Sequence, residues 1–184
     1  MKKTYIYILF GIMVVAQIAA SAQTIFKYEQ TIASDNVYKF RTAPIDPSDP
    51  FRGKYVTLRF NISSYETDDE SLQYNNDVYA YFSKDENGFA VLETLSKELL
   101  PNSEFDYVKV ETSSHYAGKV YFDLPFSTYY MEESKAYDAE RLYWDNNRDS
   151  EKQNAYAIVH IKDGTHVLTD VIIDGKSLKD AVEK

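Results

Sequence analysis

The sequence predicts an α+β domain built mainly from antiparallel sheet, behind one N-terminal apolar helix. Three observations carry this. Seventeen tyrosines and ten phenylalanines, in a chain of 184 residues, favour pleated surfaces on which flat rings pack well. Short apolar and aromatic runs recur between clusters of Gly, Asn, Asp and Pro. Residues 5–22 hold no charge and come directly after Lys2, Lys3 and Thr4.

That leader sets the compartment. A positive flank stays in the cytoplasm while the apolar run carries the rest of the chain outward. Ala20-Ser21-Ala22 before Gln23 reads as a cleavage site for a released protein. The same run at 1.5 Å per residue spans about 27 Å, enough for an uncleaved single-pass anchor. The organisation expected is therefore a signal or anchor over 1–22 and one extracytoplasmic domain over 23–184.

Composition excludes several functions. Without cysteine there is no disulfide framework, no thiolate metal site and no cysteine nucleophile. A net charge of −9 makes nucleic acid a poor partner, because affinity there rests on cationic contacts to phosphates. Anionic lipid surfaces are disfavoured for the same reason.

Strands are predicted at 37–42, 55–62, 78–83, 89–95, 107–111 and 119–124. A closing hairpin, 155–162 with 166–173, turns at Asp163-Gly164, and Asp85-Glu86-Asn87-Gly88 makes another turn. Ala136, Ala139 and Tyr143 recur at helical spacing, so a helix over about 132–144 lays a small-residue stripe on the sheet. Glu132 and Glu133 suit its first turn. Ser177 is placed to cap a short helix over 178–183.

A repeat runs through these elements. Gly53-Lys54 precedes Leu58-Arg59-Phe60 as Gly118-Lys119 precedes Leu124-Pro125-Phe126. Gly88 with Val91-Leu92 matches Gly164 with Val167-Leu168, and each follows a Tyr-Ala pair, Tyr79-Ala80 or Tyr156-Ala157. This predicts two related β-units, the second carrying the helix as an insertion.

The most distinctive segment runs Arg41-Thr42-Ala43-Pro44-Ile45-Asp46-Pro47-Ser48-Asp49-Pro50, then Phe51-Arg52-Gly53-Lys54-Tyr55-Val56-Thr57-Leu58-Arg59-Phe60. The prolines impose extended or turn geometry, and Asp46 and Asp49 can bond backbone amides there. Beyond Gly53, Val56, Leu58 and Phe60 should face the core while Tyr55, Thr57 and Arg59 face outward. This segment resembles the signature of the GDYXXLXY family of membrane-anchored bacterial proteins. Leu124-Pro125-Phe126 to Tyr130, continuing into Glu132-Glu133, and the end Asp174-Gly175 are also similar to that family. Lys54 stands in place of the motif's Asp, and Phe60 in place of its last Tyr. The resemblance implies the uncleaved anchor and a protein partner in the membrane or envelope. The lost aspartate weakens any enzymatic reading.

Candidates for chemistry are of unequal weight. The turn expected in the closing hairpin is the three residues Lys162-Asp163-Gly164 with a bulge, which sets His160 opposite His166 on one face and gathers Val159, Ile161, Val167, Val171 and Ile173 on the other; a two-residue turn would instead put the two histidines on opposite faces. Even so they lack a third ligand, and His115, His160 and His166 are expected as exposed strand residues rather than metal ligands. The acidic loops 66–70, 75–77 and 145–149 follow no calcium-binding spacing. Glu133 and Glu140 could share a helix face, as a hydrolase acting on glycan or peptide would need, without a sheltered cleft being evident. Tyr79, Tyr81, Tyr121, Tyr129 and Tyr130 could stack on a sugar or anchor a protein. The binding surface expected is Asp46, Asp49, Arg52, Gly53, Tyr55, Tyr130, Glu132 and Glu133. The protein is expected to act without catalysis, cofactor or metal, as a binding or accessory component; a secreted glycan- or peptide-binding module is the other non-catalytic reading.

Overall fold

A computed structural model describes residues 3–43, 55–72, 75–132, 135, 138–139, 141–143 and 154–181. Helix α1 (Lys3–Ile32) runs ten residues beyond the expected apolar span. No Pro or Gly lies between Ala22 and Ile32 to stop it, and Thr24 and Thr31 return their hydroxyls to the carbonyls of Ala20 and Lys27 at 3.1 and 3.0 Å. The boundary at 22–23 thus lies inside one continuous helix. Thr31 is buried, and the lower end of α1 packs on the closing hairpin.

The strands are β1 (Val37–Ala43), β2 (Tyr55–Thr57), β3 (Arg59–Phe60), β4 (Ser64–Glu66), β5 (Asp77–Lys84), β6 (Ala90–Ser96), β7 (Asp106–Tyr116), β8 (Lys119–Asp123), β9 (Thr128–Tyr130), β10 (Tyr156–Lys162), β11 (Thr165–Ile173) and β12 (Lys176–Ser177). They form one sheet ordered β12-β11-β10-β1-β3, a second ordered β4-β8-β7-β5-β6, and the ribbon β2-β9. Every ladder is antiparallel. The α+β class and the dominance of antiparallel sheet are as the sequence predicts.

The expected strand 55–62 is divided. β2 pairs with β9 and β3 with β1, while the Leu58 amide between them donates to Ser127 O at 2.7 Å. Its facing is as expected, with Val56, Leu58 and Phe60 buried. Of the predicted helix over 132–144, the described residues 135, 138–139 and 141–143 are helical, and Ala139 and Tyr143 are buried one turn apart. The final helix α2 (Leu178–Ala181) begins where expected. Ser177, however, belongs to β12 and donates its hydroxyl proton to Asp170 Oδ1 at 2.9 Å, tying the helix start to β11.

The closing hairpin corrects the histidine geometry. Lys162 lies opposite Thr165, so Asp163 (φ 49°) and Gly164 (φ 75°) form a two-residue turn. Two left-handed residues match the twist of the flanking strands, which a three-residue loop does not require. His166 then pairs with Ile161 and His160 with Val167, and the two imidazoles lie on opposite faces of the sheet. A bulge exists, but it falls between Ile158 and Val159, where Thr169 is the extra residue. It switches the phase of β11, so Leu168 as well as Val171 and Ile173 can meet the core, and Val167 does not stand with them.

The same bulge occurs in the β5–β6 hairpin, between Tyr81 and Phe82 with Glu93 extra. Counting from the matched Tyr-Ala pairs, both bulges fall at the same position. The strand orders match too: β11-β10-β1-β3 reads as β6-β5-β7-β8. Each hairpin lies on the first strand of the other unit. Single parallel bridges, Lys39 with Phe89 and Val108 with Gly164, bring each turn against the opposite sheet. The two related β-units are real and interlocked. One detail differs: buried Thr42 pairs with Phe60, and buried Thr112 with Phe122, so Phe60 corresponds to Phe122 rather than Phe126.

Rings fill the space between the sheets. Phe40 of β1 meets Phe82 of β5 at 5.3 Å, Phe60 at 5.9 Å and Phe126 at 4.9 Å, all edge to face. Such contacts add to area burial and join units that are distant in sequence.

Candidate functional site

The family-like segment reaches the described structure at β2. Its ribbon with β9 sets Tyr55 opposite Tyr130, Val56 opposite Tyr129 and Thr57 opposite Thr128. Alternation sends Val56 and Tyr129 inward and the other two tyrosines outward. The Tyr55 and Tyr130 rings meet edge to face at 5.8 Å, and Tyr130 is 71% exposed. Glu132 is exposed two residues further on. These three are the parts of the expected binding surface that the fold brings together. Asp46, Asp49, Arg52, Gly53 and Glu133 lie outside the described residues, as do Ala136, Glu140 and 145–149.

Beneath the ribbon, Tyr129 anchors the pair. Its hydroxyl donates to Asp170 Oδ1 at 3.0 Å, an oxygen that also accepts from the Val171 amide at 2.8 Å and from Ser177. Lys179 Nζ stands 5.3 Å from its ring centre. Tyr38 repeats the device on β1, donating to Asp106 Oδ2 at 2.7 Å. Burial and the adjacent carboxylate push both phenols well above the ordinary tyrosine value of 10.0. Neutral phenol therefore stabilises the fold fully below pH 10, and the contribution drains away as pH climbs from there toward the folded-state value. Urea midpoints measured from pH 9 to 11.5 should fall steeply for the native chain and much less for Tyr38→Phe with Tyr129→Phe. Equal slopes would exclude these two groups as the cause.

Two clefts, of about 570 and 620 Å³, flank the ribbon and share Asp123, Leu124 and Ser127. Arg59 and Thr57 add to the first, Lys109 and Glu111 to the second. Lys109 is paired with Asp77 at 2.6 Å. Among the described residues, no three His, Asp or Glu side chains gather as a metal site would need. Two acids of loop 66–70 are used locally: Glu66 pairs with Lys119 at 2.9 Å, and Asp69 Oδ1 accepts from the Ser71 amide at 2.8 Å. Both carboxyls are held below the usual range, Glu66 by the Lys119 bond and charge, Asp69 by the bonds from Ser71.

The histidines also separate. His115 is exposed and its Nε2 lies 3.3 Å from Thr67 O. His166, expected on the surface, is half-buried with its ring 5.5 Å from Phe126, and burial lowers its pKa. Nδ1 of His160 and Nδ1 of His166 are both buried without a hydrogen-bond partner.

A cationic shelf escaped sequence reading. Arg41 Cζ stands over the Phe89 ring at 3.7 Å from its centre, while Lys39 donates to Asn87 O at 2.9 Å and stands 5.6 Å from the same ring. Tyr156 closes the stack against Phe89 at 5.5 Å, beside an open cleft of about 340 Å³. The alternation of Lys39 and Arg41 on β1 was visible; Phe89 reaches them only through the interlocked units.

No curated protein and no solved structure matches this chain. The model of the GDYXXLXY protein family matches residues 17–171, beginning inside α1 and continuing into β11, and the chain belongs to that family.

Proposed function

We propose that this protein is a single-pass anchored component of the cytoplasmic membrane, whose domain lies outside the cytoplasm and binds a membrane or envelope protein without catalysing a reaction. The observation that carries this reading is the unbroken course of α1. It is long and apolar enough to cross a bilayer, passes through Ala20-Ser21-Ala22 as helix, and ends buried against the domain at Thr31. An anchor built into the fold holds the domain at a set distance from the bilayer, which suits docking to a neighbour there. The exposed Tyr130, propped by Tyr55, offers that neighbour an aromatic contact of the kind that dominates interfaces.

A reporter fused after Lys184 should be active outside the cytosol, and protein recovered from membranes should retain Lys2 and Lys3. Mild detergent extraction should bring down an integral membrane or envelope protein in stoichiometric amount. Tyr130→Ala should weaken its retention by about tenfold or more, the loss expected of an aromatic anchor. Repeated recovery of the chain alone would count against the partner.

A further inference from the structure

We propose that the loop between β6 and β7, residues 97–105, dips its exposed apolar side chains into the outer leaflet of the bilayer and gives the domain a second hold on the membrane; this rests on α1 being the uncleaved anchor. The loop presents Leu99, Leu100 and Phe105 at 50, 41 and 40% exposure. Outside α1, the other large apolar side chains this exposed among the described residues are Val91, Tyr116 and Tyr130. Three of them gathered within residues 99–105 make a patch of the kind that marks a contact surface.

The loop is held in place. Tyr81, fully buried, accepts the Leu100 amide at 2.7 Å. Ser96 donates to Glu98 O at 2.6 Å, and Ser103 Oγ accepts the Phe105 amide at 3.1 Å. Pro101 followed by Asn102 at φ 59° turns the chain between them. A fixed backbone thus keeps these apolar side chains in solvent.

The fold turns the patch toward the membrane. α1 meets the domain from Gln23 onward, with Gln23, Lys27 and Tyr28 beside Gly164 and Thr165, while its earlier turns stand clear. The helix therefore leaves past the tip of the closing hairpin. That tip bridges to Val108 near the start of β7, and Asp106 accepts from Tyr38 at 2.7 Å and Asn36 at 3.3 Å, just after α1. Phe105 so lies at the end of the domain from which the anchor departs. Leu100 joins it, because Tyr81 pairs with Tyr107, the ring that presses on Gly164. The related units agree: the loop leads into β7 as the end of α1 leads into β1.

Depth follows from the helix. Gln23 to Tyr28 lie about 1.5–9 Å beyond Ala22, the end of the apolar run. The polar layer of one leaflet is about 5–8 Å thick. This end of the domain reaches the headgroups, where apolar side chains can enter the acyl boundary. Glu98 and Glu104 outnumber Lys97 in the loop and the chain carries −9, so the contact is apolar and gains nothing from anionic lipid.

The chain has no cysteine, so one introduced residue takes a polarity-sensitive fluorophore at a single place. The full chain is set in phosphatidylcholine nanodiscs, with or without lipid bearing a nitroxide on its acyl chain near the headgroup. A label at Leu99→Cys or Phe105→Cys should shift to the blue and lose fluorescence to the nitroxide. A label at Tyr116→Cys, at the far end of β7 and about 33 Å away, should do neither. Adding Leu99→Ser and Leu100→Ser, which alter only exposed side chains, should restore fluorescence at Phe105→Cys. Equal signals at Leu99 and Tyr116, unchanged quenching with the two serines, or quenching that needs anionic lipid would overturn the inference. Shielding of Leu99 in native membranes but not in nanodiscs would also overturn it and assign the patch to a protein partner. The anchor is read separately by a label at Ile18→Cys, inside the apolar run. If that label is quenched and the loop labels are not, the loop contact alone fails; if it is not quenched, the anchor fails and the loop contact with it.

Discussion

Replacing Phe40 by alanine is expected to destabilise the domain by about 3–5 kcal/mol, read as a lowered urea midpoint at unchanged slope. Phe40 is fully buried and touches Tyr38, Phe60, Phe82 and Phe126. Its loss removes transfer free energy and edge-to-face contacts together. The space left is bounded by rings from β1, β3 and β5 that are fixed by their own ladders, so it closes poorly. Against a net stability of about 5–15 kcal/mol for a domain, this is a large fraction. A cost below about 1 kcal/mol would mean that the two sheets are not joined through this cluster.

The second large effect is expected from Gly164→Ala, at about 2–5 kcal/mol. Gly164 holds φ at 75°, a region that costs an L side chain about 1–2 kcal/mol. An added Cβ would also stand 2.6 Å from Cε2 of Tyr107. That ring is wedged between Tyr79 and Tyr81, both at 5.7 Å, and has little room to yield. Overpacking of this kind adds about 1–3 kcal/mol. The related unit supplies the control. Gly88 has φ 80°, yet a Cβ there meets only Lys39, with Cε at 3.8 Å, ordinary contact. Gly88→Ala should therefore cost only the backbone share, about 1–2 kcal/mol. Similar losses at both glycines would show that the tip of the closing hairpin is not pressed on β7.

The contrast between those glycines shows what a sequence can and cannot carry. Both turns are readable, because each places Gly after Asp or Asn between aromatic or apolar runs. The closeness of Tyr107 to one of them is not readable, since the two lie far apart in the chain and only the pairing of β7 with the opposite hairpin's tip joins them. The histidines fail for a related reason. Their facing depends on where a single extra residue enters the ladder, and a shift of the bulge from the turn to Thr169 inverts it. Arg41 on Phe89 and Thr165 beside α1 are contacts between elements, so no local spacing announces them.

By itself, the sequence determined the class, the anchor-length apolar run, the outward facing of Tyr55, the existence of two related units and the family, because each comes from local periodicity, composition or a short motif. Tertiary structure alone decided that the units exchange hairpins, that Tyr55 is propped on Tyr130, that α1 continues to Ile32, and that His166 is half-buried with its Nδ1 shut away and unpaired. These depend on which strand edges meet. Edges present the same backbone groups everywhere, so the choice among them is made by the packing of distant side chains rather than by any stretch of chain on its own.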